Sequence, residues 1–153
     1  MKLYLVQHSE ANAKDVDPER SLTNQGRLDV EAMATLLKRS GVKVRRVIHS
    51  GKLRAQQTAE ILAAAIAPEV EQEVSSLMSP NDNPAAFDWQ SESWDQDTLI
   101  VGHLPFMSRL VAHLLLGDAD QTLVQYQPGS VVCLEHDAGN WQLNWMLRPE
   151  LLK

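Results

Sequence analysis

Thr98-Leu99-Ile100-Val101-Gly102-His103-Leu104-Pro105 is a β-branched, apolar run that stops at Gly-His, with a proline placed for the first turn of a helix. The N-terminus has the same layout. Leu3-Tyr4-Leu5-Val6 is a short apolar run that ends at Gln7-His8-Ser9, as a buried strand opening into a polar loop would. Each strand therefore delivers a histidine from its C-terminal end. Working outward, residues 10–22 read as loop. Thr23 reads as the N-cap of a helix with Arg27, Leu28, Val30, Met33, Ala34, Leu36 and Leu37 at helical spacing, ended by Gly41. Val44-Arg45-Arg46-Val47-Ile48-His49 reads as a second strand. Ser50 is expected to cap a helix over 51–66 carrying Leu53, Thr58, Ile61, Leu62 and Ile66, with Pro68 beyond it.

Residues 75–97, rich in Ser, Asn, Asp, Pro and Gln, read mainly as connection with a short helix near 84–92. A third helix is expected over 105–116. Residues 131–134 and 142–147 form a plausible hairpin around Asp137-Ala138-Gly139-Asn140. The alternation predicts an α/β fold: a three-layer αβα sandwich whose central sheet is mostly parallel, with an antiparallel edge hairpin. The 153 residues, 44% of them hydrophobic, suit one domain over 1–153, and there is no internal repeat.

A net charge of -6 and a pI near 5.3 argue against a nucleic-acid binder, so any anion site has to be local. The lone cysteine, Cys133, lies in the apolar run Ser130-Val131-Val132-Cys133-Leu134 and has no partner for an internal disulfide. The chain reaches Gln7, His8 and Glu10 too soon for a signal peptide or a membrane span, so a cytoplasmic protein is expected.

In an open parallel sheet, ligands bind beyond the carboxyl ends of the strands, which gathers His8, residues 50–54 and His103 on one rim. Two imidazoles and a guanidinium there suit a phosphate. Neutral imidazole is a nucleophile, arginine makes paired charged hydrogen bonds to phosphate oxygens, and the helix start after Ser50 adds N–H donors. His49, His113 and His136 read as packing residues. No histidine pair has zinc spacing, and Gly51-Lys52 is no P-loop, because position 46 is Arg and position 53 is Leu. Neither a metal nor another cofactor is expected. Trp89 and Trp94, in a polar stretch, are candidates for a docking surface.

These motifs resemble the histidine phosphatases, most closely their small bacterial phosphohistidine phosphatase branch, and imply that family's phosphoglycerate mutase-like fold. Gln7-His8-Ser9 stands where the family has Arg-His-Gly, followed by Glu10-Ala11. Leu22-Thr23-Asn24-Gln25-Gly26 matches its Leu-Thr-x-x-Gly turn, and Ser50 through Ala59 its Ser-x-x-x-Arg-Ala-x-x-Thr-Ala segment. Val101-Gly102-His103-Leu104-Pro105 matches the second histidine, and Trp141 and Leu147-Arg148-Pro149 are similar too. The resemblance implies that His8 becomes phosphorylated, that Arg54 and His103 catalyse by holding the phosphoryl oxygens beside Gln7 and Ser9, and that water releases inorganic phosphate. Arg54 and a protonated His103 would supply the charge without metal. Relatives that act on sugar phosphates carry a long excursion where this chain has only residues 67–97. The resemblance therefore favours phosphohistidine on a signalling or phosphotransfer protein as the substrate, with a small phosphorylated substrate as the alternative. Glu10, Asp17, Asp82 and Asp88 are open as proton donors.

Gln7 is the departure. It removes one positive charge and a two-pronged donor, which by the usual mutational range costs roughly 100- to 1,000-fold in rate. A slower enzyme is expected, or one that recruits Arg20, Lys14 or Lys52 instead. Ser9 in place of glycine restricts the backbone if φ there is positive. The competing expectations are a non-catalytic phosphate-binding module and a small phosphoester phosphatase.

Overall fold

The computed structural model describes residues 1–87 and 95–153. Its elements are β1 (Lys2–Gln7), α1 (Asn24–Arg39), β2 (Arg46–His49), α2 (Leu53–Ile66), β3 (Gln72–Val74), β4 (Thr98–Gly102), α3 (Phe106–Leu116), β5 (Val131–Asp137) and β6 (Asn140–Leu147). The strands form one sheet in the order β3-β2-β4-β1-β5-β6. The first four run parallel, and β5 and β6 are antiparallel, so the expected parallel sheet with an antiparallel terminal hairpin is what forms.

Strand alternation splits the core into two. Tyr4, Val6, Val47, Leu99, Val101, Val131 and Cys133 face α1 and α2, packing on Val30, Met33, Leu37, Ala59 and Leu62. Leu3, Leu5, Ile48, Ile100, Val132 and Leu134 face α3, against Phe106, Met107 and Leu110. The central strands are apolar throughout because helices cover both faces, which makes the expected three layers.

Local signals account for most element ends. Thr23 caps α1 as expected, its Oγ1 accepting from Gly26 N–H at 2.9 Å, and Gly41 past the helix end has φ 79°. α2 departs from expectation. It starts at Leu53 with Lys52 at the N-cap position, and Ser50 is turned elsewhere. Pro105 immediately precedes α3, and the Leu104–Pro105 bond is cis.

β3 was not expected, because Gln72-Glu73-Val74 carries no apolar signal. It pairs with β2 at the sheet edge, where Arg46 and Glu73 form a two-pronged ion pair at 2.8 and 2.9 Å. Of the helix expected near 84–92, a 3₁₀ turn spans Pro84–Ala86. The rest, with Asp88, Trp89 and Trp94, lies outside the described residues. Among the described residues no helix is long and apolar enough to cross a membrane.

Candidate active site

Register brings the two histidines together. In the β1–β4 pair Gln7 lies opposite Gly102, so the next residues out, His8 and His103, are neighbours at the sheet's rim. Their ring centroids are 5.1 Å apart, and the His8 amide donates to the Gly102 carbonyl at 2.9 Å. Gly102 has no room for a side chain: an added Cβ would lie 2.8 Å from both Met107 Sδ and Met78 Cε. On the far side of β1, the Gly129 amide is shared between the Gln7 and His8 carbonyls at 3.1 and 3.2 Å.

His8 is held in one chemical form. Its Nδ1 lies 2.7 Å from the Ser9 carbonyl oxygen. A carbonyl only accepts, so Nδ1 carries the proton and Nε2 keeps its lone pair. Burial, with the Arg54 and Arg20 charges adding to it, lowers His8 to about 4 against the opposing pull of the Ser9 carbonyl. His8 is thus a neutral imidazole at pH 7.

His103 is 2% exposed. Its Nε2 lies 2.6 Å from Ser50 Oγ, and its buried Nδ1 has no partner among the described residues. A protonated His103 was expected. Instead burial, then the charges of His8, Arg54, Lys52 and Arg20, push it down to about 3, so in the free chain this ring is neutral too and the guanidiniums carry the charge.

Arg54 sits in the first turn of α2. Its buried Nε has no partner among the described residues, and burial followed by the Arg20 charge holds the guanidinium below its ordinary value. None of the described carboxylates figures among the charges acting on His8, Arg54 or His103. Two imidazoles and two guanidiniums that disfavour one another's protonation, with no described carboxylate acting on them, are an arrangement suited to an anion.

The remaining expected residues divide. Gln7 is buried beside the histidines, and its Oε1 has no partner among the described residues. Ser9 is fully buried, but its hydroxyl donates to the Gly26 carbonyl at 2.7 Å and its amide donates to Thr58 Oγ1 at 3.0 Å. That hydroxyl is committed to the fold, so Ser9 braces the His8 loop and is not turned to a ligand. Its φ is not positive either, so the expected restriction does not arise. Of the substitute cations, Lys14 is exposed and acts on none of the three groups, Lys52 acts on His103, and Arg20 acts on all three.

Of the four possible proton donors, Asp88 lies outside the described residues and the other three are engaged elsewhere. Glu10 accepts from Thr23 Oγ1 at 2.7 Å, Asp17 holds the amides of Glu19 and Ser21 and the Ser21 hydroxyl, and Asp82 accepts from the Ser79 amide. His49 is structural, its Nδ1 accepting from Gly51 N–H at 3.0 Å, and His136 packs on Trp141. Among the described residues no group of three or more His, Cys, Asp and Glu is arranged to hold a metal ion. A hollow of about 750 Å³ between α1 and α2, lined by Glu31, Lys38, Ile61 and Ala65, belongs to the helices' outer ends and not to this rim.

Two residues have a part here that the sequence reading did not give them. Ser50 holds the His103 ring, and Thr58 links Ser9 to α2 by donating its hydroxyl to the Arg54 carbonyl at 2.8 Å. Both lie inside the Ser50–Ala59 motif, and a fully buried threonine among alanines was the available signal.

Comparison with known proteins finds relatives in sequence and in fold. Residues 3–75 match the family model of the histidine phosphatase superfamily, branch 1. The sequence is 29% identical to the phosphohistidine phosphatase SixA of Escherichia coli over all of this chain and 97% of that one. The solved structure of the protein histidine phosphatase SixA complexed with tungstate superposes with a TM-score of 0.86 at 27% identity, both chains covered in full. The alpha-ribazole phosphatase of Shigella flexneri, at 18% identity and TM-score 0.71 over 94% of this chain and 95% of its own, shares the fold.

Proposed function

We propose that this chain, which belongs to the histidine phosphatase superfamily, hydrolyses the phosphorus–nitrogen bond of a phosphohistidine carried on another protein, through a phosphoryl group held transiently on His8. The observation that carries the reading is the pairing of His8 and His103 at 5.1 Å beside Arg54, with the His8 tautomer set by the Ser9 carbonyl. The similarity to a phosphohistidine phosphatase supports the substrate class, and the tungstate complex of a similar protein supports a tetrahedral oxyanion as the ligand.

The chemistry follows from the charges. The lone pair of His8 Nε2 attacks phosphorus as the P–N bond to the substrate imidazole breaks. The departing ring keeps the bonding pair and takes a proton from water. His8 gains positive charge as it accepts the phosphoryl group, and the Nδ1–H bond to Ser9 O strengthens in step. Arg54 and the His103 ring face the charge spread over the equatorial oxygens. Water then attacks phosphorus, the Nε2–P bond breaks, and orthophosphate leaves with neutral His8 restored. An imidazole leaves more readily than an alkoxide, so this site does not require a strong general acid.

Incubation with phosphoramidate followed by intact-mass measurement tests the proposal. Wild type gains one phosphoryl group, on His8, and His8→Ala gains none. Turnover of a phosphohistidine peptide exceeds that of p-nitrophenyl phosphate. Orthophosphate binding without any covalent intermediate would mark the chain as a binding module, a reading that the buried neutral Gln7 favours. A strong preference for the ester would overturn the substrate class.

A further inference from the structure

Arg20 is one of only two non-glycine residues in the described chain with positive φ, at 55°. An L-residue in this left-handed region is strained, and arginine has no short polar group to offset it. The other such residue, Ala138, lies in the exposed β5–β6 turn, where tight reversal accounts for it. Arg20 is in a loop pinned at both ends. Ala11 and Leu22 form an isolated antiparallel bridge, the Asn12 amide donates to the Ser21 carbonyl at 2.8 Å, and the Arg20 amide donates to the Asp17 carbonyl at 2.9 Å.

The side chain is anchored as well. Arg20 is half-buried, and its Nε donates to the Asn12 carbonyl at 3.0 Å. That bond fixes the guanidinium by its stem side and leaves the two terminal nitrogens, which form no hydrogen bond or ion pair with the described residues. Arg20 is also the cation whose charge reaches His8, Arg54 and His103 alike, with no described carboxylate among the charges acting on those three groups. A strained backbone and a like-charged neighbourhood are costs, and among the described residues the hydrogen bond from Nε is the one side-chain contact set against them. A bound anion would offset both.

We infer that Arg20 is a phosphoryl-binding residue that supplies, from the loop after β1, the charged two-pronged donor which Gln7 does not provide. The inference rests on the proposed site and assigns it a second guanidinium. Arg54 and Arg20, from different segments, would then grip different oxygens of the same phosphoryl group, with Gln7 beside them as a neutral donor.

The test is a cycle built on Gln7→Arg and Arg20→Asn. Asparagine tolerates left-handed φ, so Arg20→Asn keeps or raises the melting temperature while removing the guanidinium. The expected result is a roughly 100-fold loss of phosphoramidate turnover and a clear loss of orthophosphate affinity by calorimetry. Arg20→Lys, which keeps the charge in the same strained position, recovers part of both. Adding Gln7→Arg raises turnover at least tenfold in the Arg20→Asn background and much less in wild type. Unchanged orthophosphate affinity in Arg20→Asn, or an equal gain from Gln7→Arg in both backgrounds, overturns the inference. Because orthophosphate affinity is read without turnover, a wild type that binds but never forms phospho-His8 would sink the catalytic proposal and leave the role of Arg20 intact.

Discussion

Acidification should unfold this protein through its active site. His8 is lowered to about 4 by burial and nearby arginines, against an ordinary value of 6.5 in the unfolded chain. Between those two values the unfolded state binds a proton that the native state does not, so stability rises with pH across the window. The contribution is fully present above pH 6.5 and is lost progressively as pH falls toward 4. From pH 8 to pH 5 this amounts to about 2 kcal/mol from His8 alone. His103, lowered to about 3, and the buried His49, lowered chiefly by desolvation, act in the same direction. Against a typical domain stability of about 5–15 kcal/mol, the His8 share alone should lower the urea midpoint by roughly 1 M. The comparison is wild type against His8→Asn, whose amide can still donate to the Ser9 carbonyl, with urea titrations at pH 8, 7, 6 and 5. The variant should keep the His49 and His103 part of the slope and lose the His8 part. Parallel loss of stability in the two proteins would refute the assignment of a neutral, buried His8.

Thr58→Val should strand the buried Ser9 N–H, cost about 1–3 kcal/mol in chemical denaturation and slow phosphoramidate turnover, because the Ser9 carbonyl that orients His8 moves with it. Gly26→Ala would put a Cβ 2.1 Å from the Glu10 carbonyl oxygen, which forces the α1 start away from the His8 loop, so a destabilisation of at least about 1–3 kcal/mol is expected in the same assay. Sulfate, which stays doubly charged throughout the range, should bind more tightly as pH falls from 8 to 5.5, since an anion favours the protonated imidazoles. Calorimetry in two buffers of different ionisation enthalpy should then show proton uptake, and buffer-independent heats would count against it.

The sheet and the site were legible in the sequence to different degrees, for physical reasons. Runs such as 98–101 and 131–134 announce strands because helices cover both faces of the sheet and only apolar residues fit. β3 did not, because it is an edge strand held by an ion pair to β2, and Gln72-Glu73-Val74 gives no periodic signal. His8, Arg54 and His103 were legible through their motifs. The charge state of His103 was not, because it depends on desolvation and on four cationic or imidazole neighbours drawn from distant segments. Ser9 was misread for a similar reason. Whether a hydroxyl faces a ligand or a carbonyl depends on Gly26, at the start of the next helix, approaching it closely enough to accept. Ser50 looked like a helix cap because its position permits one, but Lys52 holds the N-cap position, and Ser50 Oγ takes the His103 ring just beyond β4 while accepting from the Lys52 amide at 3.4 Å.

Strand register explains why the residues that meet here lie so far apart in the chain. Parallel neighbours are spaced about 4.8 Å apart, and the His8 and His103 rings, one step beyond the paired Gln7 and Gly102, stand 5.1 Å apart. On the other side of β4, His49 pairs with Val101, which places Ser50 one strand away from Gly102 and within reach of the His103 ring. A slip of one residue in either pairing would turn the side chains of the moved strand to the opposite face and exchange Leu5 for Tyr4 or Ile48 for Val47 across the two cores. The hydrophobic alternation that holds the sheet in register therefore also holds the imidazoles at the spacing of a single tetrahedral anion. A deletion within residues 2–6 should abolish anion binding and folding together, whereas changes in the charged loop around Arg20 should weaken the first and leave the second.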